Sequence, residues 1–290
     1  MRIRILLGLL VLSLCLGCSK RVQLAGGVLP PKRPTTLVSL SPSTTEIGAK
    51  LYNSIQLVGR TESCNYPPSM VGAVPVVAGV KPNYELIAAK KPSVIFLDSS
   101  LYSKADIEKI KGLGSAVMDF HTDSVKEFIQ KIRECGTLVM GETEASDYAD
   151  KIQNAVDTAE ASPLSPSPKA IVLTGGNGSY LIDGTKSFQA DVLRTVGATP
   201  VGPDGERFSN LNPETLLQLN PDYVFLATPG EKKEDGEKVI NGFRSDSRFA
   251  NLKAVKENHV LGIPEDILLR AGGRVDILIT ALSKVLRGGQ

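Results

Sequence analysis

The chain has 290 residues, with 33 lysines and arginines against 31 aspartates and glutamates and a formal net charge of +2 at pH 7. This balance, without a long basic run, excludes the charge pattern of a nucleic-acid-binding protein, so no nucleic acid partner is expected. Two histidines are too few for a receptor of bare zinc or manganese ions, and no metal site is predicted.

The N-terminal segment has the pattern of a signal peptide. Two arginines precede an apolar run at 5–16, whose roughly twelve residues fit a signal-peptide core and are too few to span a bilayer. Small Gly17 then precedes Cys18, a boundary that resembles the lipobox of bacterial lipoproteins. We predict a lipoprotein signal peptide at 1–17, lipidation of Cys18 and a proline-rich membrane tether at 18–34. An uncleaved transmembrane anchor is the alternative.

Apolar runs then alternate with helical segments. The first strand, predicted at 36–40, leads into a helix that Ser43 and Glu46 are expected to open as a capping box. Alternation of this kind predicts a mostly parallel sheet covered by helices. The further predicted strands are 56–59, 94–97 and 116–120, and the predicted helices lie near 46–51, 85–89, 104–111 and 124–140.

A long helix is predicted from 143 to about 161, followed by prolines that end it and by a strand at 170–174. We therefore predict an N-terminal lobe at 35–141, a connecting helix at 142–162 and a C-terminal lobe at 163–290. The fold class is α/β, with two lobes that are each a mostly parallel sheet with flanking helices, joined by a single long helix. The apolar stripe of the long helix consists of Tyr148, Ile152, Val156 and Ala159.

One sequence pattern occurs twice, 129 residues apart. Asn83 and Asn212 each begin a short helix that carries a glutamate, Glu85 or Glu214, in its first turn. A proline and an apolar run suited to a buried strand follow in both copies. The repeat predicts two similar lobes, each with one carboxylate at the same corner, where the helix dipole favours it.

Together these features resemble the helical-backbone class of periplasmic substrate-binding proteins, which serve ABC importers of siderophores, haem and vitamin B12. The resemblance covers residue 35 to the C-terminus and rests on the two glutamate helices and on the stretches 38–46, 58–68 and 268–274. The first two stretches are most similar to the cobalamin-binding branch. The resemblance implies a ligand cleft between the lobes, an extracytoplasmic location (periplasm or cell surface) and a monomer.

The resemblance also implies which residues shape the cleft. Gly79 and Ser63 stand where a cobalamin binder typically carries aromatic residues, whereas Phe208 keeps an aromatic ring six residues before Glu214. The ligand is expected to be cobalamin or a related corrinoid, with haem or an Fe(III)-siderophore as the alternative, and no cofactor is expected besides this chelate. The implied ligand-binding residues are Ser41, Ser63, Asn65, Tyr66, Gly79, Phe208 and Arg270.

In the family, the equivalents of Glu85 and Glu214 pair with arginines on two permease subunits, so the resemblance implies docking to an ABC transporter permease dimer. The alternative is that each glutamate only complements its helix dipole. The expected function is a lipid-anchored substrate-binding protein. The alternatives are a sensor or scaffold of the same fold, or an enzyme whose site is not recognisable in the sequence. No catalytic residue is assigned, because the chain lacks a Gly-x-Ser-x-Gly elbow.

Some residues leave two interpretations open. Cys64 and Cys135 permit a disulfide in an exported protein without requiring one. His121 and His259 are expected at strand edges, with solvent or a backbone carbonyl as partner. Arg270 binds either a carboxylate or phosphate of the ligand or the carboxylate of Glu265 or Asp266. The glycine-rich stretch 174–178 is either an anion-holding loop or a tight turn.

Overall fold

The structure is a computed structural model that describes residues 35–230 and 233–288. The predicted signal peptide at 1–17, the lipidation at Cys18 and the tether at 18–34 lie outside the described residues. Among the described helices, none combines the length and apolar character that crossing a bilayer requires.

The N-terminal lobe is built on a sheet of five strands: Thr35–Ser39 (β1), Ile55–Thr61 (β2), Val76–Ala78 (β3), Val94–Leu97 (β4) and Ala116–Asp119 (β5). Their order is β3-β2-β1-β4-β5, and every neighbouring pair is parallel. All four residues of β4 are buried, as expected for a central strand that has helices on both faces. Among the strands of this lobe, the short edge strand β3 was not predicted.

The helices of this lobe are Pro42–Lys50 (α1), Pro68–Val71 (α2), Tyr84–Lys90 (α3), Lys104–Lys111 (α4) and Val125–Val139 (α5), with a 3-10 turn at Ser99–Leu101. The predicted capping box of α1 is wrong. Ser41 is the N-cap, and its hydroxyl oxygen accepts a hydrogen bond from the backbone N–H of Thr44 at 3.1 Å. Glu46 is thereby free to make long-range contacts.

The connecting helix Glu142–Glu160 (α6) lies within the predicted segment 142–162. All four residues of its predicted apolar stripe are buried. This stripe packs on α5 and on the last helix of the chain, Val275–Leu286 (α12 below). The helix therefore contributes one face to a core that it shares with both lobes.

The C-terminal lobe contains six strands: Lys169–Gly176 (β6), Ser179–Ile182 (β7), Thr199–Pro200 (β8), Ser209–Asn210 (β9), Tyr223–Thr228 (β10) and Val260–Pro264 (β11). The order is β11-β10-β6-β7-β9, with β8 also paired to β6. Strands β11, β10 and β6 run parallel, whereas β7 is antiparallel to β6 and β9. The glycine-rich stretch is the β6–β7 turn, since Asn177 and Gly178 have φ values of 51° and 80°, which suit a two-residue hairpin.

The helices of the C-terminal lobe are Phe188–Thr195 (α7), Pro213–Leu219 (α8), Lys233–Arg244 (α9), Lys253–Lys256 (α10), Glu265–Leu268 (α11) and Val275–Leu286 (α12), with a 3-10 turn at Ser247–Phe249. The predicted repeat is confirmed by α3 and α8. Both have seven residues, both are capped by an asparagine side chain, and both end at a left-handed residue, Lys91 or Asn220. Strands β4 and β10 follow them.

One hydrophobic cluster extends from the first sheet across α6 to the second sheet. Large side chains of both lobes are fully buried in it, so the two lobes are tied by a common core. Two smaller clusters, one in each lobe, complete the interior. Representative members of the shared cluster are Phe96, Phe128, Ile152, Phe225 and Ile279.

Cys64 and Cys135 are both free and buried, so the described chain contains no bridge between them. The Cys64 sulfur lies 3.0 Å from the hydroxyl oxygens of Thr45 and Thr61. Burial raises the pKa of Cys135 to about 12, which keeps this thiol protonated and unreactive at neutral pH.

Candidate functional site

A cavity of about 370 Å³ lies between the two lobes, at the carboxyl ends of β4 and β5. Ligands of parallel α/β sheets bind at this edge, and the volume is in the range of small-molecule sites. The N-terminal lobe lines it with Asp98, Ser100, Leu101, His121, Thr122 and Asp123. The C-terminal lobe and the segment before α12 contribute Phe188, Gln189, Glu206, Arg207, Phe208, Leu269 and Ala271.

Two loops of the N-terminal lobe are tied together at this wall. The Asp119 Oδ1 atom accepts hydrogen bonds from the backbone N–H groups of Ser99 and His121, both at 3.0 Å. This carboxylate therefore links the loop after β4 to the loop after β5. The consequence is that the His121 ring lies beside the Asp98 carboxylate, with 3.5 Å between Nδ1 and Oδ1. This contact with a carboxylate was not predicted; the ring is 41% exposed, so solvent, a predicted partner, also reaches it.

The wall from the C-terminal lobe is mainly apolar. Phe188, at the start of α7, packs edge-on against Phe128 with 5.7 Å between ring centroids. The Gln189 side-chain amide donates a hydrogen bond to the carbonyl of Leu269 at 3.0 Å and so holds the segment before α12 against α7. Phe208 is half-buried between the cavity and the shared core. Phe188 is 5% exposed, so Phe208 is the ring of this wall that an apolar surface of a ligand can reach.

The charges of the cavity are predominantly negative. Asp98, Asp123 and Glu206 face a single guanidinium, that of Arg207. Burial raises the pKa of Asp123, and the Glu206 carboxylate acts in the same direction, while His121 opposes both. Neutral hydrogen-bond donors or positive groups are favoured in such an environment, and anionic groups are disfavoured.

A second cluster, which we call the arginine junction, consists of Glu46, Asn65, Asp266, Arg270 and Arg274. Glu46 is 1% exposed, and Arg274 donates to its two oxygens at 3.0 and 2.6 Å. Arg270 donates to Glu46 at 3.0 Å and to the Asn65 side-chain oxygen at 2.9 Å, and it also pairs with Asp266. The junction thus joins the N-terminal lobe to the segment that leads into α12.

Close backbone packing supports the arginine junction. A Cβ atom at Gly273 would lie 2.5 Å from the carbonyl oxygen of Glu46, so only glycine allows this approach. The Tyr148 hydroxyl of α6 donates to the carbonyl of Gly272 at 2.6 Å. The Arg274 guanidinium lies over the Tyr66 ring, 4.3 Å from its centroid. Both lobes and the connecting helix therefore meet at this point.

The seven predicted ligand residues are not gathered in one place. Only Phe208 lines the cavity described above. Asn65, Tyr66 and Arg270 contact other residues of the arginine junction, where Arg270 has the carboxylate partner Asp266. Ser41 is buried as the cap of α1, and Ser63 and Gly79 are exposed. For all seven residues, contact with a ligand stays a prediction.

The sequence analysis missed Asp98 and recognised His121 only as a residue at a strand edge. A signal was present, because Asp98 directly follows β4 and His121 lies two residues after β5, so both stand at the carboxyl ends of neighbouring parallel strands. His259 agrees with its expectation, since its Nδ1 atom lies 3.2 Å from the carbonyl oxygen of Asp222. In residues 35–230 and 233–288, no three histidine, cysteine or carboxylate side chains are arranged to hold a metal ion.

Glu85 and Glu214 are exposed in the first turns of α3 and α8. The side-chain oxygens of Asn83 and Asn212 cap these helices, at 3.0 Å from the N–H of Leu86 and 2.8 Å from the N–H of Glu214. Each lobe therefore presents one carboxylate at an equivalent position. Both the docking role and the simpler role of complementing the helix dipole fit this geometry, and docking stays a prediction.

Comparison with known proteins gives concordant results. The profile of the family described as periplasmic binding protein matches residues 37–267. The high-affinity heme uptake system protein IsdE of Staphylococcus aureus (strain MRSA252) is 26% identical over 216 residues, which are 73% of each chain. The vitamin B12 binding protein BtuF of Vibrio cholerae superposes with a TM-score of 0.72 at 20% identity, covering 87% of this chain and 98% of that one. The heme-binding protein HutB of Vibrio cholerae superposes with a TM-score of 0.72 at 17% sequence identity, covering 87% of this chain and 98% of that one.

Proposed function

Because the chain belongs to the periplasmic binding protein family, in its helical-backbone class, we propose that it captures cobalamin or a related corrinoid outside the cytoplasm and delivers it to an ABC permease. Members of this family are substrate-binding proteins of transport systems. We therefore assign the cavity to binding rather than to catalysis, and we propose no cofactor besides the transported chelate.

The observation that carries the proposal is the cavity between the lobes, which combines the half-buried Phe208 ring on the C-terminal wall with carboxylates on both walls. A corrin has a large apolar face and neutral amides at its rim, which donate hydrogen bonds to carboxylates. The ring of Phe208, with Leu269 and Ala271 beside it in the cavity lining, suits the apolar face of the corrin. The carboxylates of Asp98, Asp123 and Glu206 suit its amides. A ligand with several negative groups meets three carboxylates and one guanidinium here, which disfavours triply anionic ferric siderophores.

Haem is the second candidate, and it is favoured by His121. An imidazole in the cavity wall is a suitable ligand for haem iron, and the curated relative with 26% identity is a heme uptake protein. The two propionates of haem count against it, because the cavity offers them Arg207 alone. The negative wall is the reason for placing the corrinoid first.

Binding titrations with the mature protein decide between these ligands. Aquocobalamin, cyanocobalamin, ferric protoporphyrin IX and a ferric siderophore are titrated in turn, followed by calorimetry and absorption spectra. Phe208→Ala is expected to weaken binding of a corrinoid by about 1–3 kcal/mol, because it removes an aromatic surface from the wall. Tyr52→Ala, which removes an exposed ring outside the cavity, is the matched control. Saturable binding of haem without any corrinoid binding moves the assignment to the second candidate. An unchanged affinity of Phe208→Ala refutes this cavity as the site.

We further propose that Glu85 and Glu214 dock the protein on the two subunits of a permease dimer. Support comes from their exposure and from their equivalent positions in the two lobes. Two separated carboxylates give a two-point register for arginines on a two-fold partner. Lipidation of Cys18 then keeps the receptor, as a monomer, near the permease on the membrane surface.

A further inference from the structure

His121 has the geometry of a metal ligand that is oriented by a carboxylate. Its side chain is 41% exposed in the cavity wall, and Nδ1 lies 3.5 Å from Asp98 Oδ1. A proton on Nδ1 is stabilised by this carboxylate, which leaves the lone pair on Nε2. Histidines that ligate metals usually carry a carboxylate or carbonyl partner on the other ring nitrogen, and this partner fixes the tautomer and raises the basicity of the ligating nitrogen.

Both members of this pair are held by the backbone of the N-terminal lobe. The Asp98 carboxylate accepts hydrogen bonds from the N–H and the hydroxyl of Ser100, at 3.0 and 2.6 Å. His121 is held on both sides, since its N–H donates to Asp119 and its carbonyl accepts from the Lys131 ammonium group. The imidazole is therefore fixed at the ends of two adjacent parallel strands instead of on a free loop.

The surroundings of His121 suit a metal that arrives in a chelate and do not suit a bare ion. A bare zinc or manganese ion needs three or more protein ligands, and the described residues contain no such group. A single imidazole is sufficient when a macrocycle already supplies the equatorial ligands. The same cavity is lined by the half-buried ring of Phe208, against which a macrocycle can lie.

We propose that His121 Nε2 coordinates the metal centre of the bound tetrapyrrole, with Asp98 as its positioning residue. The Nε2 lone pair forms the new bond to the metal as an axial water leaves, so no electron is transferred and no proton is taken from the imidazole. The receptor then selects metal tetrapyrroles that have an exchangeable axial position. This inference rests on the proposed function and narrows its ligand class, whether the macrocycle is a corrin or a porphyrin.

Two matched pairs of probes test this proposal. Aquocobalamin has an exchangeable water where cyanocobalamin holds a cyanide, and ferric protoporphyrin IX has a metal that protoporphyrin IX lacks. We expect the wild-type protein to bind the exchangeable member of at least one pair at least tenfold more tightly, with a shift of its visible spectrum as nitrogen replaces water. The pair that responds identifies the macrocycle.

Variants then assign the effect to the imidazole. His121→Ala is expected to lose the spectral shift and the tighter binding of the exchangeable probe. Its affinity for the non-exchangeable probe should equal that of the wild type. Asp98→Asn keeps the acceptor for Ser100 and is expected to retain the shift while weakening the preference about tenfold. His259→Ala removes the other imidazole, which stacks on Tyr223 outside the cavity, and should change nothing.

The outcomes separate this inference from the proposed function. Equal binding of both members of each pair by the wild-type protein, or a spectral shift that survives in His121→Ala, overturns the coordination by His121 and leaves the receptor function standing. A spectral shift is the decisive readout, because the positive charge of aquocobalamin alone does not produce it. The absence of binding of every tetrapyrrole overturns the proposed function itself.

Discussion

Replacing Glu46 with glutamine tests whether buried charge holds the two lobes together at the arginine junction. Glu46 is 1% exposed and pairs with Arg270 and Arg274, whose side chains are 18% and 13% exposed. Glutamine keeps the size and one acceptor oxygen of the side chain but removes its charge. Arg274 then loses its counter-charge, whereas Arg270 keeps its pair with Asp266.

The expected loss follows from these contacts. Removing one partner of a buried ion pair costs about 3–5 kcal/mol of unfolding free energy, because an uncompensated charge stays buried. Since Asp266 still neutralises Arg270, we expect Glu46→Gln to lower the unfolding free energy by about 3 kcal/mol, the lower end of this range. Burial acts to lower the pKa of Arg274, but its hydrogen bond and charge interaction with Glu46 outweigh burial and raise it above its ordinary value. The Glu46 carboxylate is therefore the main counter-charge of this guanidinium, to which Asp266 adds a smaller charge interaction.

Urea unfolding of the mature protein, followed by circular dichroism, measures the change. A second measurement combines Glu46→Gln with Arg274→Gln. The double variant should be less destabilised than the sum of the single variants, because the stranded charge is gone, with a coupling of about 1–3 kcal/mol. Asp150→Asn, which breaks the exposed pair with Arg133, is the control and should change stability little. If the unfolding free energy of Glu46→Gln lies within about 1 kcal/mol of the wild-type value, the arginine junction does not depend on buried charge.

Three other predictions concern separate parts of the chain. Burial raises the pKa of Asp183 from 3.8 to about 6, so its contribution to stability is present below about pH 4 and is lost as the pH rises through 6. In Asp183→Asn, the unfolding free energy should no longer fall between pH 4 and pH 7, a fall of about 3 kcal/mol at most in the wild type. A pH profile of unfolding that is the same in the variant and the wild type contradicts this assignment. Replacing Glu85 and Glu214 by alanine should leave ligand affinity and folding nearly unchanged and strongly reduce uptake in cells, and normal uptake would show that they do not dock. Mass spectrometry of the membrane fraction should find a diacylated Cys18 at the N-terminus, and an unmodified soluble chain refutes the anchor.

Much of the local structure was predictable because its causes lie close together in the chain. The bounds of α4 agree with the predicted helix at 104–111, and Ser124 and Met140, the ends of the predicted fourth helix, are the two caps of α5. Capping of α1 was predicted wrongly, because two serines near its start were both suitable and only the backbone geometry selects Ser41. The edge strand β3 was missed since three residues carry too little pattern.

The candidate site was predicted less completely. Phe208 was identified through its distance from a glutamate that begins a helix, and it does line the cavity. Carboxylates were among the predicted partners of Arg270, and Asp266 is one of them. Its other carboxylate partner, Glu46, lies 224 residues away in the sequence, and no sequence spacing predicts a contact over that distance. His121 was expected to lack a side-chain partner, because Asp98 follows a different strand.

The sequence by itself determined the alternation of strands and helices, the repeated glutamate helix and the apolar stripe of α6. Each depends on neighbouring residues through capping, proline and hydrophobic periodicity. The tertiary structure alone decided which polar groups meet. The order β1-β4-β5 brings Asp98 beside His121, and the packing of the segment before α12 on α1 brings Arg274 to Glu46. Such contacts depend on strand order and on how the lobes pack, and no local pattern encodes either of these.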